Sequence, residues 1–187
     1  LDLFDFTAVH DFMSVDMYPR PLLDDRWMIA RCGLVARSLQ KGPHWTMELT
    51  TGAPVTQFSK APVPREGQMR LWAHQNAAYG AQGVSFFCWR KRPAGHEMLS
   101  NGLLEHDGKP RRYYREIVGV GREFETLGAA LPAYDAPPEV AIVMDFQDRA
   151  NATINPYILD VDYMRYMDQW MIAARRLGLN VRFVRST

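Results

Sequence analysis

Three apolar runs in this chain end on side chains able to do chemistry. Asp16 and Tyr18 close the run over 12–18, and Glu48 stands in His44-Trp45-Thr46-Met47-Glu48-Leu49-Thr50. Phe87 and Trp89 close the run over 83–89, with Arg90 directly after them. A carboxylate among apolar neighbours is costly to desolvate unless paired or hydrogen-bonded, so chains keep one mostly where its charge is used. Such a carboxylate can attack an electrophilic carbon, and a tyrosine hydroxyl beside it can hold it in place. Aromatic rings offer flat apolar faces to the C–H faces of a pyranose. Glycoside cleavage with retention needs one carboxylate to attack the anomeric carbon and a second to protonate the leaving oxygen, ~5–5.5 Å apart. Each residue also has a plainer reading. Glu48 would be a strand-end glutamate facing solvent or an arginine, Tyr18 a satisfied core tyrosine, Trp89 packing, and Arg90-Lys91-Arg92 a solvated basic run. Their recurrence at three successive run ends favours a shared site.

Elements of regular structure must bring those ends together. The pattern predicts the tail of a helix over 1–10 and a strand over 12–18, stopped by Pro19 and Pro21. A helical stripe through Trp27, Ala30, Leu34 and Leu39 marks a helix over 25–39, and the Glu48 strand follows. A loop with Pro54, Pro62 and Pro64 runs from 52 to 67, then come a helix over 68–80, a strand over 83–89 and a long helix over 111–131. Repeated strand–helix units with continuous apolar strands predict a parallel sheet covered by helices on its faces. In a barrel of that kind, catalytic groups sit at the C-terminal strand ends. Composition changes at Pro132-Ala133-Tyr134-Asp135-Ala136-Pro137-Pro138, a linker signal. Beyond it a strand over 140–144, a helix over 162–177 stopped by Gly178, and a strand from 180 begin a second βαβ unit that needs more strands to bury its faces. The expected division is therefore 1–131, a linker at 132–138, and 139–187.

With 187 residues, 47% hydrophobic and 12% aromatic, the composition is that of a globular protein. Its 22 basic residues against 21 acidic ones create no net field to attract nucleic acid or an anionic membrane. No stretch approaches the ~20 apolar residues of a membrane span. The N-terminus lacks a basic, apolar leader, so a cytoplasmic location is expected. Cys32 and Cys88 lack metal spacing and read as buried free thiols, and the five histidines show no metal pattern, so no cofactor is expected. Glu105 and Asp107 fall in turn chemistry, His96 in a loop and His74 on a helix, while Asp145 and Asp148 read as capping residues.

The run Gly67-Gln68-Met69-Arg70-Leu71-Trp72-Ala73-His74-Gln75, then Ala77-Ala78-Tyr79-Gly80, Phe87-Cys88-Trp89-Arg90-Lys91 and Glu97, with Met47-Glu48 before it, resembles glycoside hydrolase family 42, the β-galactosidases. The resemblance covers about residues 12–130. It implies an α/β fold, the last three β/α units of a (β/α)8 TIM barrel followed by the start of a flavodoxin- or amidotransferase-like α/β domain that forms a homotrimer. It further implies that Glu48 is the nucleophile at the end of the seventh strand. Tyr18 would lie beside it, Phe87 and Glu97 would line the galactose subsite, and Trp89 and Arg90 would support them. Thr56-Gln57-Phe58 stands where family members usually carry a tryptophan, and Ser100 where a histidine is common. The general acid/base of the family, in an Asn-Glu pair after the fourth strand, has no counterpart in this chain, so the chain alone is expected to be inactive. The expected partner is a small carbohydrate, a terminal β-D-galactoside. An α-L-arabinopyranoside is the near alternative, and a non-catalytic sugar-binding or scaffold module the distant one.

Overall fold

Asp2 accepts a hydrogen bond from the Phe4 amide at 2.8 Å and so caps a short helix, α1 (Leu3–Thr7). The stretch expected to be a helix tail is thus a single short helix that starts within the chain. A computed structural model describes residues 2–19, 26–39, 44–52, 62–100, 102–128, 130, 137–155 and 162–186. After α1 come β1 (Met13–Met17), α2 (Arg26–Leu39), β2 (His44–Thr50), α3 (Gln68–Ala78), β3 (Ala81–Phe87) and α4 (Arg112–Leu127). Then follow β4 (Val140–Val143), α5 (Phe146–Ile154), α6 (Tyr163–Arg176) and β5 (Val181–Val184). Pro21, the loop residues Thr56, Gln57 and Phe58, and linker positions 132–136 lie outside the described residues.

Strands β1, β2 and β3 form a parallel sheet in chain order. All three helices after them pack on the same side. Ile29 of α2, Met69, Trp72 and Ala73 of α3, and Val120 of α4 share one buried cluster with Met17 and Leu49 of the strands. The helices expected on the faces of the sheet thus lie on one face only, as the barrel resemblance implies. Successive crossovers of one hand, each stepping to the next strand, leave every helix on one face, the winding of a barrel wall rather than of a doubly wound sheet. The opposite face carries Ser14, Asp16, Trp45, Met47 and Ser85, all exposed. The fit of α3 on β2 is polar as well as apolar: Thr46 Oγ1 donates to Asn76 Oδ1 at 2.7 Å, and Asn76 Nδ2 donates to the Trp72 carbonyl at 2.9 Å, all buried. Gly33 lets α2 approach the end of α3, since a Cβ there would stand 2.7 Å from the Tyr79 Cβ.

Strands β4 and β5 form a second, two-stranded parallel sheet. It packs with α6 against the other side of α2, where Ala30 and Leu34 join Ile142, Met144, Met167, Met171, Val181 and Phe183. Helix α2 thus lies between the two sheets. Arg31 Nη1 reaches Asp168 Oδ2 on α6 at 2.6 Å, and the Phe183 amide of β5 donates to Ser38 Oγ at 2.9 Å. Asp145 caps α5 by accepting from the Gln147 amide at 2.6 Å and the Asp148 amide at 3.2 Å. The capping reading of Asp145 holds, although α5 itself was not expected. Among the described residues no helix is long and apolar enough to cross a membrane, and no three His, Cys, Asp or Glu side chains cluster to hold a metal.

Candidate active site

The pairing of β1 with β2 shifts register between Val15 and Asp16, so that Asp16 comes to lie opposite Glu48. Tyr18 follows directly after β1, and its hydroxyl donates to Glu48 Oε2. The loop leaving β2 is fastened to the end of β3: the Thr51 amide and Oγ1 both donate to the Phe87 carbonyl, at 3.2 and 2.6 Å. Thr50 Oγ1 donates to the Gly52 carbonyl at 2.8 Å within the same buried turn. Asp16, Tyr18, Glu48 and Phe87 therefore gather at the C-terminal ends of three adjacent parallel strands.

The electrostatics of this cluster are those of crowded negative charge. Burial pushes the Tyr18 hydroxyl well above the usual phenol range. Its hydrogen bond to Glu48 adds to the shift, as do the charges of Glu48, Asp16 and Glu97. The hydroxyl therefore stays protonated and acts as a fixed donor. Partial burial, then the charge of Glu48, raises the Asp16 carboxyl, and a hydrogen bond from the Glu48 backbone amide partly offsets this. Burial also raises the Cys88 thiol, which lies within reach of the charges of Arg92, Glu97 and Glu48. Cys88 is half-buried rather than fully buried, as is Cys32.

Of the residues singled out in the sequence, the structure brings Tyr18, Glu48, Phe87 and Glu97 together. Glu97 sits in the loop after β3, and Oε2 is shut away from solvent with Arg92 Nε at 3.1 Å. The Arg92 guanidinium also lies 5.9 Å from the centre of the Phe87 ring. Trp89 and Arg90 go elsewhere. Trp89 is 62% exposed and meets Tyr114 edge-on, with ring centres 6.1 Å apart. Arg90 Nη2 donates to the His106 carbonyl at 2.9 Å and so ties the end of β3 to the turn at 105–108. Arg92, not Arg90, is the arginine beside the cluster. In the sequence it falls within the basic run Arg90-Lys91-Arg92, while the turn signal Pro93-Ala94-Gly95 between it and Glu97 is the mark of the pairing. Ser100 is buried, its amide donating to the Glu97 carbonyl at 2.9 Å, so it stands behind Glu97. The plainer readings hold nearby: the Lys109 amide donates to Asp107 Oδ1 at 2.9 Å in a turn, and Glu105 pairs with Lys91 at 2.6 Å.

Helices on one face of a sheet wound in chain order, with polar side chains gathered at its C-terminal edge, follow the plan of a β/α-barrel site. The chain belongs to glycoside hydrolase family 42, whose sequence model, described as beta-galactosidase, matches residues 1–127. It is 32% identical over 199 residues to the β-galactosidase Bga of Halorubrum lacusprofundi, a match covering 98% of this chain and 28% of that protein. The solved β-galactosidase of Bacillus circulans sp. alkalophilus superposes with a TM-score of 0.87 at 26% identity, over 99% of this chain and 28% of the other. A family 42 β-galactosidase structure from G. stearothermophilus shares the fold with a TM-score of 0.88 at 22% identity, over 99% of this chain and 28% of its own. The chain thus spans under a third of the length of these relatives.

Proposed function

We propose that this segment carries the nucleophile half of a retaining β-galactosidase. In this reading residues 1–131 are the last three β/α units of a TIM barrel, and 139–187 begin a second α/β domain. Glu48 attacks the anomeric carbon of a terminal β-D-galactoside, forming a glycosyl ester as the C–O bond to the aglycone breaks. A glutamic acid from another part of the full-length protein protonates the leaving oxygen and later deprotonates the water that hydrolyses the ester. The observation that carries this is the Glu48 carboxylate at a strand end, held by the Tyr18 hydroxyl. Such a donor fixes one oxygen along its lone pair and leaves the other free to attack. Glu97 and Phe87 supply a hydrogen-bonding carboxylate and a ring for the sugar.

The test is a panel of nitrophenyl glycosides with the full-length protein that carries this segment. Turnover of β-galactoside is expected, and Glu48→Gln should lower kcat by several orders of magnitude with the fold intact, because covalent catalysis is lost. Preference for the α-L-arabinopyranoside would change the sugar but keep the mechanism. A Glu48→Gln variant with near wild-type turnover would remove Glu48 from catalysis.

A further inference from the structure

Glu97 Oε2 is sealed from solvent and makes no hydrogen bond of good geometry among the described residues, so its charge has to be met by something close. The group that meets it is Arg92, whose Nε lies 3.1 Å away. The chain returns from Arg92 to Glu97 through a turn in which Gly95 adopts φ 94° and the Met98 amide donates to the Gly95 carbonyl at 3.2 Å. A positive φ of that size suits glycine, so the turn that brings the two charges together is written into the sequence. The same guanidinium stands 5.9 Å from the Phe87 ring centre. A planar guanidinium can face a ring while offering its Nε edge to a carboxylate, which a lysine ammonium cannot do. Phe87 ends the strand beside Glu48, so Arg92 links the ring at that strand end to the carboxylate in the loop. As an ion pair the contact is half-exposed, with side chains 57% and 36% accessible, a setting in which such pairs add little to stability. Its consequence lies in where Glu97 points. With Oε2 turned to Arg92, Oε1 is the oxygen left for a ligand.

We propose that Arg92 is a positioning residue, which sets Glu97 and Phe87 for the hydroxyls and ring face of the sugar and so governs substrate affinity. The inference rests on the β-galactosidase reading above and adds to it a residue outside the expected set.

The test is a double-mutant cycle in the full-length protein, with nitrophenyl β-galactoside as substrate. Arg92→Ala should raise KM by about tenfold and change kcat by less than about threefold, because a binding group is misplaced while the nucleophile is not. Arg92→Lys should recover only part of the loss. Arg92→Ala combined with Glu97→Ala should be little worse than Glu97→Ala alone, since Arg92 acts mainly through Glu97 and only secondarily through the Phe87 ring. Thermal unfolding of Arg92→Ala should stay within a few degrees of wild type; if alanine fails to fold, Arg92→Gln takes its place in the cycle. An unchanged KM, or effects that multiply in the double variant, overturns the inference while the functional reading stands. A wild-type protein inert on every β-galactoside overturns both.

Discussion

A tyrosine hydroxyl held protonated by its surroundings is a constant donor to the carboxylate beside it. Tyr18 is in that position because burial and the charges of Glu48, Asp16 and Glu97 all oppose its ionisation. Tyr18→Phe keeps the ring and removes only the donor to Glu48. Hydrogen bonds to charged groups are worth about 1.5–3 kcal/mol, so kcat/KM of the full-length protein should fall by roughly 10–100-fold. An unaltered kcat/KM would mean that Glu48 is held by something else. Glu48 and Tyr18 were legible in the sequence because a polar residue closing an apolar run must emerge at a strand end. Arg92 was legible only through the Pro93-Ala94-Gly95 turn signal, since local periodicity does not say how the loop from Pro93 to His96 folds back. Trp89 and Arg90 misled for a related reason. They follow the strand so closely that they read as part of it, yet the strand ends at Phe87 and the chain turns away to pair Arg90 with Leu104.

Strand β2 carries Glu48 near one end and His44 at the other, and the two ends have opposite chemistry. His44 is fully buried, and among the described residues neither ring nitrogen has a hydrogen-bond partner. Burial, with a smaller push from the charge of Arg37, lowers its pKa to about 4. A histidine whose folded pKa is depressed is neutral in the native state while the unfolded chain takes up a proton below about 6.5. Its stabilising effect is thus full above about pH 6.5 and is lost as pH falls toward 4, by ~3 kcal/mol at most. Asp107, Glu123 and Asp145, held low by their partners, lose stability only below the ordinary carboxylate range, outside this window. Asp16 and Asp168, raised by burial, act in the opposite sense just above that range. Urea midpoints of the full-length protein should drop between pH 6.5 and 4.5, and His44→Leu should flatten that slope. An equal slope in the variant would place the acid sensitivity elsewhere. Element types were legible from apolar spacing, but their fine structure was not. The register shift that sets Asp16 against Glu48 arises from pairing between strands and leaves no mark on either run alone. Helix α5 has no buried residue, so it lacked the apolar stripe that marks a helix.

At the scale of the whole molecule, the sequence announced parallel strands but not which face the helices would cover, because an apolar run reads alike from both sides. The outcome leaves large apolar side chains uncovered. Trp45 and Met47 on the open face of the three-stranded sheet are 44% and 40% exposed, while Trp170 and Leu177 of the second unit are 55% and 77% exposed. A groove of about 540 Å³ runs along β4 and α6, lined by Val140, Ile142, Tyr166, Trp170 and Leu177. Among the described residues β1, β3, β4 and β5 each pair on one side only, although the Phe183 amide of β5 is met by Ser38. Unpaired parallel edges beside exposed apolar surface invite association, and a two-stranded sheet is barely stable alone. Residues 1–187 produced on their own should therefore self-associate, seen as heterogeneous mass in light scattering, and should not turn over nitrophenyl galactoside. The first expectation follows from the uncovered faces. The second follows from the proposed mechanism, in which Glu48 has no acid to protonate the leaving oxygen until the rest of a barrel is present. A monomer that unfolds cooperatively and hydrolyses the substrate would overturn the barrel reading, and would require the proton donor to lie among the residues gathered around Glu48.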